Sequence, residues 1–402
     1  MNAVFVTRFA PQPVGHGGHH RSYQIFHDLQ AALGPEAVQL YTPAGEPAPA
    51  NGAVAAAPGR GPLAPLRQRL DLFWHFLRVG GHPYRLLAYI LDPTFRARRR
   101  FGGVSAEHYR RFLAGRPRPD VCLVDHPYYA NLLRVNQDFG LPTVNCTQNL
   151  ETFDLGELNL ADEWSQYAFI ADFVSELKWL AACDARLLIS KVEAGLIGGL
   201  GYPTHYYPYY PVGEIRARQL AIRQQRASTP AEPGLAVMVG SAAHATTRDS
   251  FAWFVAEARR HGLPAGVRVV IGGLQTETLL PAGETVPGLE LRGWLAQPEL
   301  DALLTRCAAF LAPQDRGFGA LTRLPELACA GIPVLVSEHA SLALDLPPGA
   351  VPVGRDWSAW QAHLQARAGL VAPPPATDYA AWEARQPNPL RSVVRRLLTS
   401  SP

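Results

Sequence analysis

The sequence predicts an α/β protein of two doubly wound domains whose parallel sheets face a central cleft. Three observations predict it: the length, an alternation of short β-rich runs with helical patterns along the chain, and a polar, Pro/Ala/Gly-rich junction near its middle. At 402 residues the chain exceeds one hydrophobic core and fits two domains of roughly 150–200 residues. With 48% hydrophobic and 18% charged residues, the composition is that of a folded soluble protein and excludes a disordered or membrane-spanning one. A net charge of +3 implies no nucleic-acid partner. Five widely spaced cysteines, never in a Cys-x-x-Cys pair, read as buried reduced thiols. The start MNAVFVTRFAPQP lacks the pattern of a signal peptide, so a cytoplasmic location is expected.

The first domain is expected over residues 1–212. Ala3 to Phe9 reads as a strand, PVGHGGHH as a glycine loop, and Arg21 to Leu33 as a helix. Further strands are expected at Ala37 to Tyr41, within Asp120 to Tyr129, within Pro142 to Asn149, and over ARLLIS from Ala185. Helices are expected at 66–79, 83–91, 106–114, within 155–182 and at 191–200. The polar stretch 213–234 is placed as the linker. The second domain, 235–378, carries strand candidates at Leu235 to Val239, Val267 to Ile271, Leu289 to Arg292, Ala308 to Ala312, Val334 to Ser337 and Val351 to Val353. A closing helical segment, 379–400, is expected to return to the first domain. The run Arg96, Arg98, Arg99 and Arg100 reads first as a solvated basic face, with an anionic membrane surface or a lipid-diphosphate acceptor as the alternative.

The segment Ala308 to Ser337 carries the strongest signal: strand, Gly-rich turn, helix, then a Pro-led strand. Backbone N–H groups at a helix N-terminus suit a pyrophosphate, and Gly317 and Gly319 let the backbone approach without a Cβ in the way. Arg323 supplies countercharge. Glu326, three residues on and on the same face, can accept hydrogen bonds from both ribose hydroxyls. His244 and Arg248 follow Gly240-Ser241 at another helix start and are diphosphate candidates. In the first half, Gly17 and Gly18 can offer amides to a phosphate or sugar. Asp125 and His126, at a strand end, read equally as a general base with its partner or as a helix-capping pair. His16, His19, His20 and His27 have no coherent set of carboxylates or thiolates beside them, so they read as a solvated loop and no metal site is expected, with His20 or His19 facing the acceptor as the alternative.

The 308–337 segment resembles the donor signature of the retaining GT-B "glycosyl transferases group 1" family. The match runs through Pro313, Gly317-Phe318-Gly319, Glu326, Ala328-Cys329-Ala330-Gly331, Pro333-Val334 and Ser337. Val239-Gly240-Ser241 with Trp253-Phe254, Ile271-Gly272-Gly273 and Arg292-Gly293-Trp294 follow in the family's order, and Gln148-Asn149-Leu150-Glu151 resembles its His-Asn-Val-Glu turn. Two positions depart from the pattern. The first glutamate of the family's pair falls near Asp315-Arg316, and Gln148 stands where the family has histidine.

The resemblance implies a GT-B fold of two Rossmann-like domains, and transfer of a hexosyl or deoxyhexosyl group from a nucleoside-diphosphate sugar to a hydroxyl, with retention and without a metal or other cofactor. The acceptor would be a glycan, a lipid-linked glycan or a small molecule. Gly17, Gly18, Gly240, Ser241, His244, Arg248, Arg316, Gly317, Phe318, Gly319, Ala320, Leu321, Arg323 and Glu326 would hold the donor. Asp315, Arg323, Gln148, Asp125 and His126 are the catalytic candidates. A degenerate binding protein and a sugar-nucleotide epimerase of the same fold stay open as alternatives.

Overall fold

The computed structural model describes residues 2–8, 10–42, 106–129, 131–155, 163–368 and 376–400. The expected helices at 66–79 and 83–91 and the Arg96 to Arg100 run lie outside the described residues.

The first sheet has six parallel strands in the order β2-β1-β3-β4-β5-β6. They are β1 (Ala3–Val6), β2 (Val38–Tyr41), β3 (Val121–Val124), β4 (Thr143–Asn145), β5 (Ala185–Leu188) and β6 (His205–Tyr206). Between them run α1 (Gly17–Leu33), α2 (Ala106–Ala114), α3 (Leu132–Asp138), α4 (Glu151–Leu155), α5 (Glu163–Ala181) and α6 (Lys191–Gly199). Strand periodicity divides the core between the two faces. Ala3 and Phe5 pack with Ile25 and Leu29 of α1, whereas Val4 and Val6 pack with Tyr109, Leu113 and Leu132. The two-residue β6 comes from the aromatic run HYYPYYPV, which has no strand pattern of its own; its pairing with β5 makes it a strand.

The second sheet, also parallel, has the order β12-β11-β10-β7-β8-β9. Its strands are β7 (Leu235–Val239), β8 (Arg268–Gly272), β9 (Leu289–Gly293), β10 (Ala309–Ala312), β11 (Val334–Ser337) and β12 (Ala350–Val353). Its helices are α8 (Ala245–His261), α9 (Gln297–Arg306), α10 (Arg323–Cys329), α11 (Glu338–Ser341) and α12 (Trp357–Ala368). Val237, Phe310 and Val334 face α10, while Ala236, Leu311 and Leu335 face Phe254 and Trp360.

Residues 213–228 of the expected linker form one more helix, α7 (Gly213–Ser228). Two arginines tie it to the second sheet's helices. Arg223 donates to the Ala328 and Cys329 carbonyls at the end of α10, and Arg226 to those of Leu304, Thr305 and Cys307. The chain then crosses back. Tyr379 and Trp382 pack on Ala328 and Cys329, whereas Leu390, Val393 and Val394 of the last helix, Leu390–Ser400, enter the core of the first sheet. All five cysteines are free and buried, and burial pushes the Cys122 and Cys307 thiols up to about 11. Among the described residues no helix is long and apolar enough to cross a membrane.

Candidate functional site

In each sheet the strand order reverses once, between β1 and β3 and between β7 and β10, and the carboxyl ends at such a reversal are where open α/β sheets bind ligands. The two reversals are built differently.

In the first sheet, β1 and β3 deliver Thr7 and Asp125 to the reversal, and α1 delivers Ser22. Asp125 Oδ2 accepts from Thr7 Oγ1 at 2.5 Å and from Ser22 Oγ at 2.6 Å, and Gln148 Nε2 lies 3.3 Å away. Gln148 Nε2 also stands 3.2 Å from the Gly18 carbonyl and 3.1 Å from Ser22 Oγ. An amide has two hydrogens for these three acceptors, and each of them ties the 148–151 turn to the glycine loop or the strand ends. Asp125 is 0% exposed, and burial raises its carboxyl pKa against the hydrogen bonds of Ser22 and Thr7. His126 is buried too, with Nε2 at 3.0 Å from Glu151 Oε1. The turn is anchored from below: Glu176 accepts from the Glu151 and Thr152 amides and the Thr152 hydroxyl, and Glu193 accepts from the Leu150 amide. Asp125, His126 and Gln148 are thus brought together in the first unit, the first two buried and Gln148 half-buried.

In the second sheet the reversal is open. A small pocket is lined by Val239 at the end of β7, Ala312 and Pro313 at the end of β10, Thr247 and Ser250 of α8, Gln314, Leu321 and Arg323. Arg323 is half-buried, 5.7 Å from the Phe310 ring centroid, and among the described residues no hydrogen bond or ion pair holds its guanidinium. Burial draws its pKa down while the charge of Glu326 opposes the shift. Arg323 and Glu326 diverge: the first lines the pocket, the second turns to the other unit.

Around this pocket the remaining residues take up distinct positions. Gly240 is closely packed, since a Cβ there would stand 2.7 Å from Thr247 Cγ2. Ser241 is half-buried, and its carbonyl accepts from the amide of His244, the residue that precedes α8. The His244 ring is 2.8 Å from Thr246 Oγ1, and desolvation lowers its pKa against the charge of Glu151. Arg248 is exposed, and Arg316 pairs with Asp249 at 2.9 Å. Asp315 pairs with Arg355 at 3.2 Å; burial raises its carboxyl, while Arg355 and His339 act the other way.

The glycine pair lies in the turn ahead of α10, which begins at Arg323. Gly317 holds φ +77°, a left-handed value that favours glycine, and its carbonyl meets His339 Nε2 at 2.6 Å. Phe318 packs edge-on against Phe153 of α4 at 5.1 Å. A Cβ on Gly319 would stand 3.0 Å from Asn149 Cβ, so the loop abuts the first unit. Ala320 and Leu321 pack on the second core.

The two units also meet at Glu326, which is 7% exposed. Its Oε1 is 2.7 Å from His20 Nδ1 and 2.7 Å from Tyr209 Oη. Beside it, a Cβ on Gly17 would stand 2.7 Å from Thr322 Oγ1. His20 therefore departs from the solvated loop expected for the histidines, because it turns into the protein to meet a carboxylate. His16 behaves differently: it caps α1 by accepting from the Gly18 amide, and desolvation with the nearby His19, His20, Arg8 and His244 pushes its imidazole down to about 4. Sequence reasoning gave no role to Tyr209, whose one signal was its place in the aromatic run 205–212.

No protein-family model matches the chain, and no curated protein sequence matches it. Among solved structures it is similar to the sucrose-phosphate synthase of Thermosynechococcus elongatus, at 14% identity, 100% coverage of both chains and a TM-score of 0.60. It is also similar to an α,α-trehalose-phosphate synthase (UDP-forming) from Burkholderia vietnamiensis, at 13% identity, covering 100% of this chain and 98% of that one, with a TM-score of 0.56. A third likeness is to Anabaena HepE in complex with UDP, at 10% identity, 100% coverage of both and a TM-score of 0.55. Two six-stranded parallel sheets flanked by helices, matched over the full length of these proteins, give this chain the GT-B fold.

Proposed function

We propose that the chain is a glycosyltransferase that moves a hexosyl or deoxyhexosyl group from a nucleoside-diphosphate sugar to a hydroxyl acceptor, with retention at the anomeric carbon and without a metal. The observation that carries this is the pocket at the β7/β10 reversal, with a half-buried guanidinium that no hydrogen bond or ion pair holds among the described residues. A desolvated, unpartnered charge costs stability unless a ligand supplies its counterion. A diphosphate does so, and gains more negative charge as its bond to the sugar breaks, so the fixed Arg323 favours the transition state over the ground state. The glycine loop Gly317 to Leu321 with Arg316, and Gly240, Ser241, His244 and Arg248 across the pocket, complete the donor set. Gly17 and Gly18 close it from the first unit. Asp315 is assigned to the sugar hydroxyls.

Likeness in fold to HepE, which has been crystallised with UDP and with UDP-glucose, supports the nucleotide-sugar donor. Retention rests on the resemblance of residues 308–337 to the group 1 family. The acceptor is assigned to the first unit, and a lipid-linked glycan on a membrane surface remains one candidate acceptor.

Calorimetric titration of UDP, TDP, GDP and ADP tests the reading. Selective binding that falls on Arg323→Ala and Glu326→Ala supports it, whereas no binding of any of the four sinks it. Proton NMR of the transfer product then reads the anomer, and inversion overturns retention alone.

A further inference from the structure

Four polar side chains line the pocket at the β7/β10 reversal: Thr247 and Ser250 of α8, Gln314, and Arg323 at the start of α10. Two of them already have partners in the protein. The Ser250 hydroxyl donates to the Thr246 carbonyl at 2.7 Å, and the Gln314 amide donates to the Arg316 carbonyl at 3.1 Å. Thr247 and Arg323 differ: among the described residues neither side chain makes a hydrogen bond or an ion pair.

Packing sets the direction of the Thr247 hydroxyl. Thr247 is half-buried in the first turn of α8, and its methyl lies over Gly240, where a Cβ would stand 2.7 Å from Cγ2. A β-branched side chain is stiff at χ1, so a methyl seated against the residue that follows β7 fixes the hydroxyl as well. The missing side chain at Gly240 makes room for this arrangement. An O–H donor and a guanidinium, carried by two different helices, thus share one pocket whose remaining walls are mostly apolar. That pair suits an oxyanion, which gives the guanidinium its counterion and offers the hydroxyl an acceptor of full charge.

We propose that Thr247 is a donor-binding residue, its hydroxyl and the Arg323 guanidinium together gripping one phosphate of the nucleoside diphosphate. The inference rests on the reading of this pocket as the diphosphate site and deepens it by naming a second group that holds the leaving phosphate. His244 and Arg248, the candidates on either side of Thr247 in sequence, are not among the residues that line the pocket; Thr247 is. Gly240 acts in the same site indirectly, through the methyl it admits.

The test titrates the nucleotide that binds the wild type most tightly, out of UDP, TDP, GDP and ADP, into Thr247→Val and Thr247→Ser, with a melting curve for each. Valine keeps a methyl against Gly240 and removes the hydroxyl. Its melting midpoint is expected to hold while affinity falls roughly tenfold or more, the worth of a hydrogen bond to a charged group. Serine keeps the hydroxyl and is expected to bind within about threefold of the wild type. If the valine variant does not fold, Thr247→Ala is read in its place, with the same loss expected. A valine variant that binds as the wild type does, or a serine variant that loses as much as valine, would overturn the inference and leave the nucleotide reading intact. If the wild type binds none of the four nucleotides, that reading falls and the inference with it.

Discussion

The two strand-order reversals of this molecule occupy equivalent places in two sheets of the same topology, yet one is closed and the other open. At β1/β3 the buried charge, Asp125, takes hydrogen bonds from Thr7 and Ser22 with Gln148 beside them. At β7/β10 the charge, Arg323, has a pocket beside it and, among the described residues, no hydrogen bond or ion pair. A buried charge that is hydrogen-bonded fixes structure, whereas one left unpaired is a cost that a ligand removes. The difference separates scaffold from binding site within one chain.

The comparison is broken most severely at the closed reversal. Asp125→Ala removes the acceptor shared by the buried Thr7 and Ser22 hydroxyls, and urea unfolding is expected to show a loss of about 3 kcal/mol. Next in size, Arg323→Met is expected to weaken nucleotide binding about 10- to 100-fold, the worth of a charge-assisted hydrogen bond. Its unfolding midpoint should hold, since the substitution removes an unpaired charge and keeps an apolar stem against Phe310. If Arg323→Met unfolds the protein as Asp125→Ala does, the contrast between the two reversals disappears.

Much of the fold was legible because parallel strands buried on both faces are continuous apolar runs: AFLA and VLVS announce themselves between turn signals. The two-residue β6 was not, since a strand so short is made by its neighbour. Within the site, the glycine loop and Arg323 were legible as a local pattern, and so was the strand-end position of Asp125. Its burial was not, because that depends on Ser22, 103 residues away. The His20 to Glu326 contact joins positions 306 apart, and no local periodicity encodes it. Glycine patterns show where backbone can approach a ligand; which side chains have already been claimed by the rest of the protein is a tertiary fact.

A smaller effect sharpens the contrast through pH. Glu176, which anchors the turn that carries Gln148, has its carboxyl pushed up to about 7 by burial, against the hydrogen bonds of Thr152. The folded value lies above the unfolded one, so its contribution to stability is full below about 4.5 and is lost as pH rises through about 7. His16, held down at about 4, has the opposite sign and loses stability as pH falls below its ordinary value. The difference between wild type and Glu176→Gln isolates the first. Between pH 5 and pH 8 the wild type is expected to lose on the order of 2 kcal/mol relative to the variant, read from urea midpoints. A difference that stays constant across that window would place the Glu176 proton elsewhere.

The smallest expected effect falls where the two units meet at the surface. Lys191 pairs with Asp345 across the cleft rim, but both side chains are exposed, at 42% and 45%, so water and salt screen the pair. Asp345→Ala should change stability by less than about 0.5 kcal/mol. The backbone bond beside it, from the Lys191 amide to the Ala343 carbonyl, survives the substitution and keeps the rim in register. Nucleotide affinity should not move either, because neither Lys191 nor Asp345 is among the groups assigned to the donor. A loss of affinity in Asp345→Ala would mean that the rim pair governs how the units close, and the division between a rigid closed reversal and a responsive open one would have to be redrawn around it.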